Sequence, residues 1–495
     1  MSAPIASRPA TRRAVLQSAA AAVAAAALPP IARSADEAVL DDASHLNATP
    51  VARHVVIRPD DEAALIERLR RELREAAAAG RPVAMGTARH SMGGQSLARH
   101  GTALTFATPV CEPDRSAGTY RARLGTRWRD VIATLDSIGF SPKVMQANND
   151  FGIASTFSVN AHGWPVPCGP MGSTVRGLRL MLADGTIVTC SRQENAELFR
   201  HVMGGYGLFG IILDLDVEMT PNLLLAPSFE HLPGAAFGAR FPAVCADPSV
   251  AMAYGRLDVS RDNFLKDALL ISYRPQPTPA GGLPAAADGA GIVSSLERQV
   301  YRAEAGSERA KHFRWYLEST LEPRVGAVAV TRNRLLNESA ALLAEHNPKR
   351  TDILHEYFVA PEHFPAFLTA CREVILKTRL DLLNVTLRYV TADPDSVLAY
   401  APTTRIAAVM SFSQARTAAA DAAMQATTRD LVERVLAIGG SFYLPYRLHA
   451  RADQVARAYP RLAEFAECKR RYDPGRLFRN ALWDKWLEEP GKEKD

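Results

Sequence analysis

The segment from Pro82 to Leu97, PVAMGTARHSMGGQSL, places a turn of small and polar residues directly after a short apolar strand. Successive backbone N–H groups in such a turn can bind an anion, and small side chains let a pyrophosphate approach the backbone closely. A structural glycine-rich turn with an exposed histidine is the alternative. The candidate binding residues of this turn are Gly86, Thr87, Ala88, Arg89, His90, Ser91, Gly94 and Gln95.

Two further polar segments follow, at Asp150–Gly163 and at Asn195–Ile212. The second contains a Gly-x-Gly-x-x-Gly match from Gly205 to Gly210. A Rossmann site needs a strand before these glycines and a helix after them, whereas the patterns here predict the reverse order. The sequence has no C-x-x-C, Walker A, H-E-x-x-H or G-x-S-x-G motif, so zinc-ribbon, P-loop, zincin and hydrolase hypotheses have no support and no metal site is expected.

The elements that must position these segments alternate between helix and strand, which predicts an α+β unit from about Pro50 to Pro221. Apolar residues recur with a helical period over Asp61–Ala79, and Gly80-Arg81-Pro82 ends that helix. The other predicted elements are the strand Val83–Met85, the hairpin strands Leu178–Leu182 and Ile187–Cys190, the helix Asn195–Met203 and the strand Ile211–Met219.

Residues 222–440 form a second block in which short strands interleave with long helices, and this pattern predicts a sheet covered by helices on one face. A Pro/Gly/Ala-rich loop is expected at Pro275–Gly291. The predicted elements are the helix Val293–Glu318, the strands Glu356–Val359, Asn384–Val390 and Ile406–Phe412, and then a tail strand Ser441–Tyr446 and helix Ala452–Lys469.

The basic surplus of the chain is concentrated at its start. The 495 residues carry a formal net charge of +5, but residues 1–35 hold four of the 58 basic residues and no acid, which leaves 54 basic against 53 acidic residues. A nucleic-acid partner is therefore not expected. Arg12-Arg13, the apolar run Ala14–Leu28 and the small residues Ala32 and Ser34 of Ala32-Arg33-Ser34 are typical of a twin-arginine export signal, and the run is too short to span a membrane.

The three polar segments, together and in this order, resemble the FAD-binding domain of the vanillyl-alcohol oxidase/p-cresol methylhydroxylase (PCMH) superfamily. The resemblance covers roughly residues 46–221, and Lys469–Asn480 is similar to the family's C-terminal return to that domain. It implies an α+β fold with a PCMH-type FAD-binding domain at 46–221, a substrate-binding α/β cap at 222–440, and a C-terminal segment at 441–495 that returns to the FAD domain.

The resemblance implies that the first turn wraps the FAD pyrophosphate and that His90 carries a covalent bond to the 8α-methyl group of the flavin. A neutral imidazole is a competent nucleophile for such a bond, and packing of His90 beside the flavin without a bond is the alternative. A second, cysteinyl bond is not expected, because Cys168 follows the second segment instead of preceding it. The further cofactor-binding residues are Ser155, Thr156, Ser158, Asn160, His162, Gly210, Ile211 and Ile212.

Catalytic candidates come from the second block and the tail. Arg388 matches an arginine that faces the flavin in aldonolactone and alditol oxidases, where it can stabilise negative charge at the flavin N1–C2 carbonyl. Those enzymes carry a glutamate two residues earlier, where Thr386 stands here, which puts a polyol or lactone substrate in doubt. The tail resembles that of polyprenyl-phosphoribose oxidases and sterol-24 reductases. It supplies Tyr443, Tyr446 and His449 as general-base candidates, with core packing as the alternative.

The expected function is that of an exported FAD-dependent oxidase or dehydrogenase that removes hydride from a hydroxyl-bearing carbon of a small organic substrate. Oxygen or an electron-transfer partner would reoxidise the flavin. Stable membrane insertion is not expected, and the sequence leaves the oligomeric state open. C–N oxidation as in cytokinin dehydrogenases and C=C reduction as in sterol reductases remain alternatives. A non-catalytic periplasmic binding protein on a degenerate flavin fold is the alternative of another class.

Overall fold

The computed structural model describes residues 38–58, 61–286, 292–325, 328–340 and 345–490. The predicted export signal at residues 1–35 and the end of the predicted loop, at 287–291, lie outside the described residues. Within the part of the chain that is described, no helix is both long enough and apolar enough to cross a membrane.

A small parallel sheet supports the first polar turn. The described chain begins with a separate antiparallel pair, β1 (Ala38–Leu40) and β2 (Thr49–Val51). The parallel sheet then follows with β3 (Arg53–Ile57), α1 (Glu62–Ala78), β4 (Val83–Gly86) and β5 (Thr102–Phe106), and its strand order is β3-β5-β4. Asp61 caps α1 by accepting a hydrogen bond from the backbone N–H of Ala64 at 2.8 Å. Leu65, Leu69 and Leu73 recur on the face of α1 that is buried, so the helical period of the sequence directly places this helix.

An antiparallel middle sheet follows, in the order β10-β9-β11-β7-β6, with β8 pairing beside β11. Its core joins Ile211 and Leu213 on the central strand to Leu104 and Phe106 of the small parallel sheet, so the two sheets share an apolar layer. The elements are β6 (Cys111–Asp114), β7 (Thr119–Arg123), α2 (Trp128–Asp136), β8 (Phe140–Pro142), α3 (Ile153–Ser158), β9 (Val175–Met181), β10 (Ile187–Ser191), α4 (Ala196–Val202) and β11 (Ile211–Pro221).

The second block and the start of the tail form a large antiparallel sheet, in the order β15-β12-β14-β13-β17-β18-β16-β19. Its strands are β12 (Leu224–Pro233), β13 (Met252–Leu257), β14 (Asp267–Gln276), β15 (Val330–Thr331), β16 (Arg350–Val359), β17 (Asp381–Val390), β18 (Arg405–Ala415) and β19 (Ser441–Phe442). The helices of this block are α5 (Gly234–Cys245), α6 (Ile292–Ala303), α7 (Glu308–Tyr316), α8 (Glu322–Val325), α9 (Arg332–Leu336), α10 (Phe364–Ile375) and α11 (Ala418–Ala437). Single-turn helices lie at Met171–Thr174, Leu317–Leu321, Pro361–His363 and Trp483–Leu487.

Helices α5, α10 and α11 cover one face of the large sheet with a layer of buried aromatic and aliphatic side chains. Phe237 of α5 lies so close to Gly255 that a Cβ atom at that position would meet the ring at 2.3 Å. The other face is turned toward the second polar segment, where His162 Nε2 lies 2.5 Å from Oε1 of Glu356 on β16. The predicted α+β fold with a sheet covered by helices is confirmed.

Two predicted helices are wrong in their continuity. The helix expected at Val293–Glu318 is broken between α6 and α7, because Gly306 adopts a left-handed backbone with φ +76° and Ser307 caps the next helix. The helix expected at Ala452–Lys469 is broken at Pro460 into α12 (Ala452–Ala458) and α13 (Leu462–Tyr472). The tail strand is also shorter than predicted and ends at Phe442, before Pro445.

The residues after α13 return to the first part of the chain. The backbone N–H of Val83 donates to the carbonyl oxygen of Leu477 at 2.7 Å, and the N–H of Arg479 donates to the carbonyl oxygen of Val83 at 3.1 Å. Asp473 fixes the turn that makes this possible, since its carboxylate accepts from the backbone N–H of Leu477 and pairs with the buried ammonium group of Lys469. Burial lowers the pKa of Lys469 to about 8, which shows that the buried ammonium group is costly to keep charged. The charge of each partner is therefore stable only while the other partner is present.

We expect Asp473→Asn to lower the free energy of unfolding by about 3 kcal/mol, because it leaves the Lys469 ammonium group buried without a counter-charge. Urea unfolding followed by circular dichroism measures the loss. Asp484→Asn is the matched control, since that carboxylate pairs with Arg479 at the surface and its removal costs under about 1 kcal/mol. Equal losses in the two variants would contradict this account of the buried pair.

Candidate functional site

The turn after β4 leaves a run of backbone donors without partners. Among the described residues, no acceptor is found for the backbone N–H groups of Thr87 through Ser91. The hydroxyl group of Ser91 and the Nε of Arg89 are also buried without a hydrogen-bond partner. Buried donors are almost always satisfied, so this cluster has the chemistry of a site for an anionic group such as a diphosphate.

Arg89 takes a left-handed backbone with φ +52°, which turns the chain so that these N–H groups follow one another. Its Nη2 donates to the hydroxyl oxygen of Thr105 on β5 at 2.6 Å, which holds the guanidinium against the small parallel sheet. Burial lowers the pKa of Arg89, and the group remains a cation at neutral pH. The turn therefore combines a fixed positive charge with free backbone donors.

His90 lies at the edge of the turn with its ring stacked on Phe151 at a centroid distance of 4.2 Å. Its Nε2 is 3.6 Å from a carboxylate oxygen of Asp150, and no hydrogen bond to its Nδ1 is found among the described residues. Burial lowers the pKa of His90, although Asp150 partly opposes this effect. The imidazole is therefore neutral at pH 7 and keeps a nitrogen lone pair free, as the predicted covalent bond to the flavin requires.

Gln95 fastens the end of the turn to the tail. Its Nε2 donates to the carbonyl oxygens of Leu444 at 2.6 Å and Tyr446 at 2.9 Å, while its Oε1 accepts from the backbone N–H of Gly93. The whole amide is engaged by the protein, so Gln95 positions the turn and offers a bound cofactor no free side-chain group. Gly94, at φ +74°, donates its N–H to Asp42 at 2.8 Å and likewise shapes the turn.

The second polar segment keeps one of its predicted hydroxyl groups available. Thr156 accepts from Trp128 Nε1 at 2.9 Å, Ser158 donates to the carbonyl oxygen of Ala154, and Asn160 is held by Asp393 and the N–H of Gly172. Ser155 is half-buried, and no hydrogen bond of its hydroxyl group is found among the described residues. The side chains of Thr156, Ser158 and Asn160 therefore build the loop, and Ser155 is the hydroxyl left to contact a ligand.

The predicted residues Gly210, Ile211 and Ile212 lie at the start of β11, as expected from the sequence. All three are buried, and Ile211 packs in the layer between the small parallel sheet and the middle sheet.

The second segment also carries His162, which meets a carboxylate that the sequence analysis did not single out. Its Nε2 lies 2.5 Å from Oε1 of Glu356 on β16, and both side chains are buried, with Glu356 3% exposed. The other ring nitrogen, Nδ1, is buried without a partner. No local signal marks Glu356, because its strand also carries Arg350, Asp352 and His355, and only the fold brings Glu356 to His162.

Tyr446 completes this group, since its hydroxyl donates to Oε2 of Glu356 at 3.2 Å. Burial and the charge of Glu356 raise the pKa of Tyr446 well above its usual value, so the phenol is neutral at ordinary pH. Tyr443 packs against Tyr446 at a centroid distance of 5.7 Å and donates its hydroxyl to the carbonyl oxygen of Val159. Tyr446 is therefore the better placed of the two tyrosines for proton transfer.

Arg388 projects from β17 on the same face of the large sheet as Glu356. Its guanidinium carbon lies 5.3 Å from the ring of Trp164 and 5.4 Å from the ring of Tyr254, and no ion pair or hydrogen bond of Arg388 is found among the described residues. Burial lowers the pKa of Arg388 to about 10, and Glu356 is close enough to oppose that shift. The site thus holds the unpaired cation of Arg388 near the hydrogen-bonded series of His162, Glu356 and Tyr446.

Comparison with known proteins agrees with this geometry. Residues 54–191 match the family described as FAD binding domain. The chain is similar to cytokinin dehydrogenase 2 of Arabidopsis thaliana, with 32% identity over 188 residues that make up 36% of each chain. It is also similar to L-gulonolactone oxidase of Mus musculus, with 27% identity over 24% of this chain and 28% of the relative. A putative D-arabinono-1,4-lactone oxidase of Neurospora crassa matches at 27% identity over 24% of this chain and 21% of the relative.

The chain carries an FAD-binding domain of the vanillyl-alcohol oxidase/p-cresol methylhydroxylase family. The matches span about a third or less of the length of these relatives. The residues of the FAD-binding domain fit the cofactor, because the free N–H groups of Thr87 to Ser91 and the guanidinium of Arg89 suit its diphosphate. The predicted cofactor, FAD, is confirmed.

The structure does not bring His449 to the group formed by Glu356 and Tyr446. Its ring lies on the helix-covered side of the large sheet, with Nε2 3.4 Å from Asp421 and Nδ1 3.4 Å from the hydroxyl of Thr428 on α11. Its ring centroid is 5.3 Å from that of His355, which projects from β16 on the face opposite Glu356. His449 is therefore a packing residue next to α11, on the side of the sheet opposite Glu356.

His355 and His449 predict acid sensitivity of the fold. Burial lowers the pKa of both imidazoles, that of His355 well below its usual value. As the pH falls below about 6.5, the unfolded chain therefore binds protons that the folded chain does not, and stability is lost. We expect the free energy of unfolding from urea titrations at pH 8 and pH 5.5 to fall toward acid pH. The fall should be less steep in His355→Gln, by up to about 1.4 kcal/mol per pH unit.

His363→Gln is the matched control for this pH experiment, because that side chain is exposed and lies outside the histidine pair. An unchanged pH slope in His355→Gln, or an equal change in His363→Gln, would contradict the assignment of the acid sensitivity to the buried pair.

Proposed function

We propose that this protein is an FAD-dependent oxidoreductase that oxidises a hydroxyl-bearing carbon of a small organic substrate, such as a sugar, polyol or lactone. The observation that carries the proposal is the buried chain Tyr446–Glu356–His162 beside the unpaired guanidinium of Arg388. Bound FAD would supply the two-electron acceptor of the reaction by taking hydride at its N5 atom.

The path of the proton follows from the hydrogen bonds of Tyr446, Glu356 and His162. The Tyr446 hydroxyl donates to Glu356, so its oxygen lone pairs are left to accept a hydrogen bond from a substrate hydroxyl. As the substrate hydroxyl gives its proton to the Tyr446 oxygen, the Tyr446 proton passes to Oε2 of Glu356. His162 holds the other carboxylate oxygen and fixes the orientation of Glu356. The raised pKa of Tyr446 favours this relay over a free phenolate base.

Arg388 supplies the electrostatic part of the site. A half-buried cation without a counter-ion stabilises negative charge that develops next to it, and the aromatic faces of Trp164 and Tyr254 hold the guanidinium in place. The related glutamate of aldonolactone and alditol oxidases is replaced by Thr386, which accepts from Arg256 at 2.8 Å. Glu356 lies in the same cross-strand row, since Thr386 and Glu356 both pair with Val409, and it supplies a carboxylate from two strands away.

The similar proteins support two substrate classes. The lactone oxidases favour oxidation at a C–OH group, and the cytokinin dehydrogenases favour C–N oxidation, with C=C reduction a third outcome. The presence of a Tyr–Glu relay for a hydroxyl proton favours the first. A substrate screen without oxygen, followed by bleaching of the flavin absorbance, separates the three, and the same reduced protein mixed with oxygen or an artificial electron acceptor identifies the reoxidant.

The proposal includes export in the folded state by the twin-arginine route, supported by the basic and apolar layout of residues 1–35. It also includes a covalent bond between His90 and the flavin, supported by the neutral imidazole and its free nitrogen. A covalent bond would prevent loss of the cofactor outside the cytoplasm. A binding protein on a degenerate flavin fold would instead be colourless after purification.

We expect the wild-type protein to stay yellow after acid precipitation, because denaturation does not release a covalently bound flavin. His90→Ala should release its flavin into the supernatant, since the substituted residue has no nucleophilic nitrogen. His312→Ala is the matched control, because that histidine is exposed and pairs with Asp262 in the second block, outside the FAD-binding domain. Protein-bound colour in His90→Ala, or soluble colour in the wild type, would rule out the His90 bond.

We expect Tyr446→Phe and Glu356→Gln to slow flavin reduction by about 100-fold to 10,000-fold, because each removes one step of the proton relay. Anaerobic stopped-flow absorbance measures the rate directly. Glu362→Gln is the matched control, since Glu362 follows β16 on an exposed turn. Full flavin content in each variant shows that binding is intact. A rate within twofold of the wild type in both relay variants would refute the relay.

A further inference from the structure

A cavity lies at the opposite end of the large sheet from the proposed active site. It has a volume of about 820 Å³ and is bordered by the start of β17, the end of β18, the loop before β17 and the first half of α11. Arg350 and Glu356 are six residues apart on β16, so roughly 20 Å of strand separates this cavity from the proposed proton relay. A cavity of this size matches those that hold small molecules.

Cations outnumber carboxylates along its wall. Lys311 is buried and pairs with Asp381 at 2.9 Å and Glu308 at 3.1 Å, which uses both acids of the lining. The guanidinium of Arg261 donates to the carbonyl oxygens of Leu376 and Thr378, while the backbone N–H of Arg261 donates to Glu308 at 2.8 Å. Within the described ranges, neither that guanidinium nor the guanidinium of Arg379 is paired with a carboxylate. Two guanidinium groups in this cavity therefore lack a counter-charge.

Gln414 gives an independent sign of a missing ligand. It is 4% exposed and lines the cavity, and neither its Nε2 nor its Oε1 has a hydrogen-bond partner in the protein. A buried amide with both polar atoms unsatisfied is rare, and an apolar side chain would serve packing better at such a position. The amide offers one donor and one acceptor to a molecule that carries its own polar groups.

We propose that this cavity binds a small organic anion, with a carboxylate or phosphate group held by Arg261 and Arg379 and a polar body hydrogen-bonded to Gln414. Arg350 also lines the cavity, with its guanidinium bonded to the hydroxyl of Ser413 and 3.8 Å from the carboxylate of Asp381. The position far from Glu356 makes it a separate binding site and not an extension of the active site. The inference does not depend on the reaction proposed above.

Isothermal titration of the FAD-loaded protein with citrate, with pyrophosphate and with uncharged glycerol tests the site. Bound FAD would occupy the turn after β4, at Thr87 to Ser91, so that turn would not bind the probes. We expect one equivalent of citrate or pyrophosphate to bind saturably and glycerol not to bind. Arg379→Ala should weaken binding about tenfold or more through loss of one ionic contact. Lys377→Ala is the matched control, because Lys377 is an exposed cation of the same loop that does not line the cavity.

Gln414→Leu provides a second test with two readouts. We expect it to weaken binding of the same probe while leaving the ligand-free protein at least as stable as the wild type, because it removes an unsatisfied buried amide. A marked loss of stability in the ligand-free variant would show that the amide is satisfied within the protein and would overturn the proposal. Absence of saturable binding by both anions, or equal weakening by Lys377→Ala and Arg379→Ala, would also overturn it.

Discussion

The buried carboxylate of Glu356 is the contact on which the proposed site depends. It accepts hydrogen bonds from His162, in the loop after α3, and from Tyr446, in the tail after β19, so one side chain joins three distant segments of the chain. A buried charge is stable only when its partners hold it in fixed geometry. The contact that would complete the proposed relay therefore also links the large sheet to the loop after α3 and to the tail.

The turn after β4, whose N–H groups suit the FAD diphosphate, depends on the hydrogen bonds of its neighbours. The side-chain amide of Gln95 donates to backbone carbonyls of the tail, and that of Asn480 donates to the carbonyl oxygen of Tyr206. These bonds hold the surrounding loops in place within the protein itself. This support allows the N–H groups of Thr87 to Ser91 to stay unpaired. A turn that must leave its donors free for a cofactor needs neighbours that are themselves fully bonded, because buried unsatisfied groups are costly.

The large sheet carries different chemistry on its two faces. Its helix-covered face holds the pair of His355 and His449, whose low pKa values make the fold sensitive to acid. Its open face holds Arg388 and Glu356 at one end, while the cavity with Gln414 lies at the other end of the sheet. Because side chains alternate along a strand, neighbouring residues such as His355 and Glu356 belong to different environments although they are adjacent in sequence.

The sequence by itself determined the fold class and the helix-covered sheet, because these follow from local periodicity. It determined FAD as the cofactor and the turn with His90 through the resemblance of motifs contiguous in the chain to a known family. Only the tertiary structure decided that Glu356 meets His162 and Tyr446, that Gln95 supports the turn, and that His449 packs away from it. Such pairings join residues up to about 350 positions apart, and no local pattern encodes which face of one strand will meet which loop.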